Sequence, residues 1–346
     1  MVPCHHGSLV DALGALMSSH GWRVRAEKVA TNAAAMHIID GLTSVGLRVS
    51  APPYYVFTRI GAGLLPASTR SLRRMGLFPI RDHFYQPLFN DAVLVTPLSA
   101  VRRLPGIDWR HERQLALLAE LHYADELRDL NLAQQPSGDL DFCISNSAFA
   151  AGDAEMLYSM IRHLQPRRVI EIGSGNSTKI AHTALLRNEV DTGVAAEHVC
   201  IEPYRMPWLE QLGVQVVREC VERVGLGQFE RLEAGDLLFI DSSHMIRPQG
   251  DVLFEYLELL PSLASGVYVH VHDIFSPRDY PDAWVRTKVR MWNEQYLLEA
   301  LLSNSDRYEI VAALNYLQHS EHELLAAHCP YLTPGAEPGS FYLRVR

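Results

Sequence analysis

From about residue 150 onward, apolar and polar positions alternate between short apolar runs and amphipathic stretches. Asp153 is placed to cap a helix to Leu164, with Met156, Leu157, Met160, Ile161 and Leu164 on one side and Pro166 just beyond. Arg168–Ile172 reads as a first strand, followed by a helix to about Arg187. Further strands are predicted at 198–202, 213–217, 236–241, 266–272, 308–313 and 340–345. The four residues between Asp236 and Asp241 are all apolar, as in a central parallel strand. Helices are predicted at Asp251–Leu260 and Trp284–Leu302. The second is long and amphipathic, with Val285, Val289, Trp292, Tyr296 and Ala300 on one face. Seven strands, with helices between the first six, predict a doubly wound α/β sheet over 146–346.

Residues 1–145 lack this alternation and predict a mainly helical extension, able to supply acceptor or dimer contacts. Asp11–Met17 and Ala26–Leu42 have helical character, Ala51-Pro-Pro-Tyr-Tyr55 reads as extended, and Asp108 is placed to cap a helix through Gln114–Leu121. Met75–Phe89 combines aromatic residues with Arg81, Asp82 and His83. It reads either as a lid over an acceptor site or as a packing segment.

Composition narrows the class. Of 346 residues, 48% are hydrophobic and 21% charged, a globular balance, and the formal net charge is −9. The short basic run Arg70-Ser-Leu-Arg-Arg74 reads as a solvated face, so no nucleic-acid partner is expected. Five scattered cysteines without a C-x-x-C fit reduced thiols in a cytoplasmic protein. No secretory leader and no apolar run long enough for a membrane span is read.

The candidate chemistry gathers where strands end, which is where such sheets bind ligands. The first strand runs into Glu171-Ile-Gly-Ser-Gly-Asn-Ser-Thr178. Gly173 and Gly175 allow close approach of a ligand to backbone. The third glycine of a dinucleotide fingerprint is replaced by Thr178. A carboxylate at Glu171 repels a pyrophosphate but accepts bonds from an ammonium group, so the ligand is read as cationic at this end, like the amino-acid part of S-adenosylmethionine. Glu202 ends the second strand, where a carboxylate can accept both ribose hydroxyls.

The fourth strand ends in Asp241-Ser-Ser-His244 and the fifth in His270-Val-His272-Asp273. Their convergence would give carboxylates plus imidazole, suited to Mg²⁺ or Mn²⁺ and admitting Fe²⁺ or Zn²⁺. His244, a turn after Asp241, is the general-base candidate for a substrate hydroxyl. His270 reads as a core histidine.

These motifs, with Cys200-Ile-Glu-Pro-Tyr204 and Leu238-Phe-Ile-Asp-Ser-Ser-His244, resemble class I S-adenosylmethionine-dependent methyltransferases with a Rossmann-like sheet. Within them the chain is most similar to a branch with an Ile-Asp-x-x-His signature, which includes metal-dependent sugar O-methyltransferases of macrolide and aminocoumarin biosynthesis. The resemblance covers about 145–346. It implies that Glu171, Gly173, Ser174, Gly175 and Ser177 surround the methionine part and that Glu202 binds the ribose. It also places Asp241, His272 and Asp273 at metal-ligand positions, and His244 as base. Relatives often carry two adjacent acidic or amide residues where this chain has His272-Asp273. The expected partner is a small-molecule acceptor, and the long first segment is compatible with a homodimer. Three alternatives stay open. They are a cyclase or lyase acting on the sulfonium, a non-haem iron oxygenase using His270, His272 and a carboxylate, and a non-catalytic scaffold.

Overall fold

The computed structural model describes residues 33–82, 86–89, 93–134, 136 and 138–346. The chain divides into two compact units, residues 1–93 and 94–346. The helix expected at Asp11–Met17, and the start of the one expected at Ala26, lie outside the described residues.

In the first unit a helix runs Ala33–Ile60, through Pro52 and Pro53, and a second spans Pro66–Arg74. The stretch expected to be extended is therefore helical, although each proline removes a backbone donor. Phe57 and Leu72 are buried, and Phe78 packs edge-on against Phe57 at 5.5 Å. Much of the long helix, including Ile38, Leu42, Val45 and Val49, is exposed. Among the described residues, no helix is long and apolar enough to cross a membrane.

The second unit holds a seven-stranded sheet. Its strands are β1 Arg168–Ile172, β2 Glu197–Ile201, β3 Gln215–Val217, β4 Leu237–Ile240, β5 Tyr268–Val271, β6 Tyr308–Ala313 and β7 Phe341–Val345. The order is β3-β2-β1-β4-β5-β7-β6. The first five strands are parallel, and β7 is antiparallel to both β5 and β6. The order reverses between β1 and β4, where open α/β sheets bind ligands. β1 and β4 lie in register, Ile172 beside Ile240, so the chain leaves both strands side by side.

Both sheet faces are covered. Ile170, Ile172, Val199, Ile201, Leu238 and Ile240 pack on one side with Val252, Tyr256 and Leu298. Val169, Leu237 and Phe239 pack on the other, against the helices Asp153–Leu164 and Asn176–Thr192. A fully buried ring such as Phe239 makes truncation to alanine cost about 3–5 kcal/mol.

The expected connections need four corrections. β2 and β3 are joined by only a 3₁₀ turn, Leu209–Leu212, because the short edge strand leaves little surface for a helix to cover. The helix expected over Trp284–Leu302 is broken into a π-helical turn Ala283–Thr287, an irregular stretch and the helix Glu294–Leu302. Two short helices, Leu314–Ser320 and His322–His328, fill the β6–β7 connection. The fourth concerns residues 108–132. The helix His111–Glu120 belongs with the sheet unit, since Leu118 and Leu121 are buried with Met156, Met160, Leu314 and Tyr342. Gln114 also accepts a bond from the Ala313 amide at 2.8 Å. The compact boundary thus falls at 93, earlier than the 145 expected.

Candidate functional site

At the end of β1 the backbone must turn sharply beside β4. Gly173 adopts φ +82°, and a Cβ there would lie 2.0 Å from the Asp241 carbonyl oxygen. Only glycine serves at this position. Beyond it a cavity of ≈ 230 Å³ opens between the ends of β1, β2 and β4. Its walls include Gly173, Glu202, Tyr204, Asp241, Ser243 and Arg247. Of the residues read from the sequence, the structure brings Gly173, Glu202 and Asp241 to this one cavity. Glu202 is buried, and its oxygens accept the Ser174 amide at 3.2 Å and the Tyr204 amide at 2.7 Å. It therefore ties the β1 turn to the β2 loop while its carboxylate borders the cavity. Ser174 and Gly175 are half-buried on the turn, and the Gly175 amide donates to Thr178 Oγ1 at 3.1 Å.

Glu171 lies apart from the cavity walls. On β1 it alternates with Ile172, a cavity residue, so its side chain lies on the opposite sheet face. It is 1% exposed, accepts the Thr178 hydroxyl at 2.7 Å and meets His198 Nε2 at 2.7 Å. Both contacts lie inside the protein. Cys200 Sγ lies 3.9 Å from the same His198 nitrogen, and burial pushes its thiol pKa up. Ser177 is likewise buried under the turn.

The ends of β4 and β5 carry a second group of charges. Asp241, His244 and Asp273 each offer a ligand atom, all within 4.8 Å of one another. His244 Nε2 is 3.3 Å from Asp241 Oδ1 and 3.5 Å from Asp273 Oδ2. His244 Nδ1 meets Glu294 Oε2 at 2.7 Å. Glu294 is fully buried and also accepts the Tyr256 hydroxyl at 3.0 Å. Burial opposes charge on His244, yet the hydrogen bonds it donates to Asp241 and Glu294 raise its pKa to about 10. Burial also works against ionisation of Asp241, but His272 and His244 hold its carboxyl well below the usual range. Burial raises Asp273, reinforced by the Asp241 charge and opposed by His272 and His244.

The loop is built to hold this arrangement. Ser242 Oγ donates to Glu255 at 3.0 Å, and Ser243 gives its amide and hydroxyl to Asp251 at 2.9 and 2.7 Å. His244 and Asp273 both have left-handed backbone, φ +59° and +60°, a conformation kept where surrounding contacts demand it.

His272 lies behind. Its Nδ1 is 3.5 Å from Asp241 Oδ1 and 3.7 Å from Asp273 Oδ1, and its Nε2 is 3.6 Å from Asp153 Oδ2. Its ring packs on Phe149 at 4.9 Å. The compact donor set thus contains His244, whereas the sequence expectation placed His272 there. His270 is fully buried, stacked on Tyr342 at 4.1 Å and edge-on to Phe239 at 4.7 Å. Both its nitrogens are unpartnered, and burial drives its pKa well below the ordinary value. His270 does not meet the carboxylates, so the facial triad of the iron-oxygenase reading is not assembled.

Sequence reasoning missed Glu294 and Asp153. Glu294 was hidden inside a stretch read as one amphipathic helix. Its signal was an acidic residue next to the apolar stripe. Asp153 was read only as a helix cap, but the N-cap is Gly152. Asp153 instead accepts the Ser340 amide at 2.8 Å and faces His272. Met75–Phe89 falls within the first unit, and His83, Phe84 and Tyr85 lie outside the described residues.

Residues 170–274 match a protein-family model described as Methyltransferase domain. An uncharacterized protein of Archaeoglobus fulgidus is 28% identical over 168 residues, 45% of this chain and 74% of that protein. Among solved structures, an O-methyltransferase from Bacillus cereus in complex with S-adenosylhomocysteine is 14% identical. It covers 66% of this chain and 90% of its own, with a TM-score of 0.34. An apo-structure of CmcI is 12% identical over 58% of this chain and 73% of its own, with a TM-score of 0.35. The matched segment begins in β1 and ends just after Asp273, so it contains the glycine turn, Glu202, Asp241 and His244. Over residues 170–274 the chain therefore resembles a methyltransferase domain.

Proposed function

We propose that this protein transfers the methyl group of S-adenosylmethionine to a hydroxyl of a small molecule, a sugar or natural-product intermediate, with help from a divalent cation such as Mg²⁺ or Mn²⁺. An amine is the second choice of acceptor. One observation carries the reading. Asp241 is shared between the cavity at the glycine turn and the carboxylate–imidazole group formed with His244 and Asp273.

The donor set fits a cation. When Glu294 accepts from His244 Nδ1–H, the Nε2 lone pair faces Asp241 and Asp273. The two carboxylates and the Nε2 lone pair then face one another, a repulsion that a proton on Nε2 or a cation held by the carboxylates would relieve. Asp241 and Asp273 would hold the ion. A bound divalent ion supplies positive charge that lowers the pKa of a coordinated hydroxyl and orients it.

The chain's own groups do the rest. Glu202 accepts the ribose hydroxyls at the end of β2. The Gly173 turn lets the nucleoside approach the backbone, and Asp241 fixes the acceptor beside it. With the two carboxylates neutralised, His244 loses the field that keeps Nε2 protonated and takes the acceptor's proton. Glu294 holds the imidazole in the tautomer this requires. The acceptor oxygen then attacks the methyl carbon in line, and S-adenosylhomocysteine leaves.

The test is incubation with S-adenosylmethionine and Mg²⁺, with and without candidate hydroxylated acceptors. S-adenosylhomocysteine formed only with an acceptor supports the proposal. Methylthioadenosine formed from the donor alone overturns it in favour of cyclisation or elimination.

A further inference from the structure

The irregular stretch between Thr287 and Glu294 is fastened to the proposed base. The amides of Asn293 and Glu294 both donate to the His244 carbonyl, at 3.0 and 3.3 Å, and Asn293 Oδ1 accepts the Ile246 amide at 2.7 Å. Val289, a β-branched residue, is held at φ +50° to make the turn. The turn brings Arg290 between two indoles. Its guanidinium carbon lies 4.2 Å from the Trp284 ring centre and 4.1 Å from that of Trp292. The indoles are themselves 5.2 Å apart and nearly perpendicular. Trp292 also sits 4.2 Å from the His244 ring, and buried Phe275 and Tyr280 back the pair at 5.2 and 6.2 Å.

Stacking uses the faces of a guanidinium and leaves the N–H groups at its edge. Those edge donors match the two oxygens of a carboxylate or phosphate. Among the described residues, no carboxylate forms an ion pair with Arg290, whereas the neighbouring Arg286 pairs with Asp282 at 2.8 Å. Lys288, 5.8 Å from the Trp284 ring centre, adds positive charge to the same wall. The clamped cation lies one indole away from His244, with no carboxylate paired to it among the described residues.

We propose that Arg290, held by Trp284 and Trp292, binds an oxyanion of the acceptor, a carboxylate or phosphate, and so selects acidic small molecules. The inference rests on the methyl-transfer reading of the adjoining site. The oxyanion anchors one end of the acceptor while the hydroxyl to be methylated lies toward His244 and Asp241. The indole faces cover the faces of the guanidinium and leave its edge for the oxyanion.

The experiment is ligand-observed NMR titration of the full chain, with S-adenosylhomocysteine and Mg²⁺ present and again without them. The probes are benzoate, phenyl phosphate and the neutral benzyl alcohol. In the wild type, at least one anion should bind tenfold or more tightly than the alcohol, and which anion wins identifies the oxyanion. Arg290→Gln should abolish that preference and leave benzyl alcohol binding unchanged. Arg290→Lys should keep part of it. Equal binding of all three probes by the wild type overturns the proposal, and so does a preference retained in Arg290→Gln. Should Arg290→Gln fail to fold, judged by circular dichroism, Arg290→Lys decides alone, and full wild-type preference there counts against the bidentate contact. Failure of the methyl-transfer reading is read separately, as absence of S-adenosylhomocysteine binding by the wild type in calorimetry.

Discussion

Two polar clusters flank the carboxyl ends of the sheet, and each contains three atoms able to ligate a metal. Glu171, His198 and Cys200 lie between β1 and β2. Asp241, His244 and Asp273 lie at the ends of β4 and β5. The first group is buried throughout, and the Glu171 oxygens are met by Thr178 and His198. The second adjoins the cavity, and its imidazole faces two carboxylates at once. Similar residue types thus serve opposite ends. The closed cluster holds the glycine turn in shape through Thr178, which also accepts the Gly175 amide. The open one keeps its charged groups beside the cavity, where a cofactor or substrate can use them.

This contrast can be broken by substitution. Asp241→Asn should abolish turnover with the fold intact, as read by methyl transfer and circular dichroism, and full activity would remove the metal proposal. His244→Ala should lower kcat by about 10²–10⁴-fold, the range for loss of a general base. Its Mn²⁺ affinity, followed by water-proton relaxation, should change little. A collapse of Mn²⁺ affinity instead would make His244 a ligand.

The closed cluster should respond in stability. Glu171→Gln weakens charged, buried hydrogen bonds and should cost about 1–3 kcal/mol in urea unfolding. Its effect on turnover should be smaller than that of Asp241→Asn. Glu202→Ala, between the two clusters, should weaken S-adenosylhomocysteine binding by about 1–3 kcal/mol in calorimetry. Unchanged affinity would argue against the ribose contact.

A further effect concerns pH in metal-free protein. His244 has its pKa raised from 6.5 to about 10 on folding. A raised folded pKa stabilises fully below about 6.5, and that stability is lost as pH climbs through about 10. Tm should therefore fall over this window. The fall should flatten in His244→Gln and when Mg²⁺ is added.

Much of this was legible in the sequence. β1 and β6 fall where the apolar runs place them, and Gly173, Glu202 and Asp241 meet at one cavity. The face that Glu171 takes was legible too: alternation along a five-residue strand puts it opposite Ile172. Glu294 and the Arg290 clamp were not legible, because periodicity continues smoothly through 284–302. There tertiary contacts override local propensity: the Trp284 and Trp292 rings and the His244 carbonyl reward a broken helix more than a continuous one. Pro52 and Pro53 inside a helix show the converse limit of local rules.

The placement of β7 has a consequence for biosynthesis. It lies between β5 and β6 and, among the described residues, is the one neighbour through which β6 joins the sheet. Until the ribosome releases Phe341–Val345, β6 has no seat and one edge of β5 stays open. The nascent chain must therefore carry an incomplete sheet almost to the end of this segment. A nonsense codon just ahead of Phe341 would unseat two strands at once.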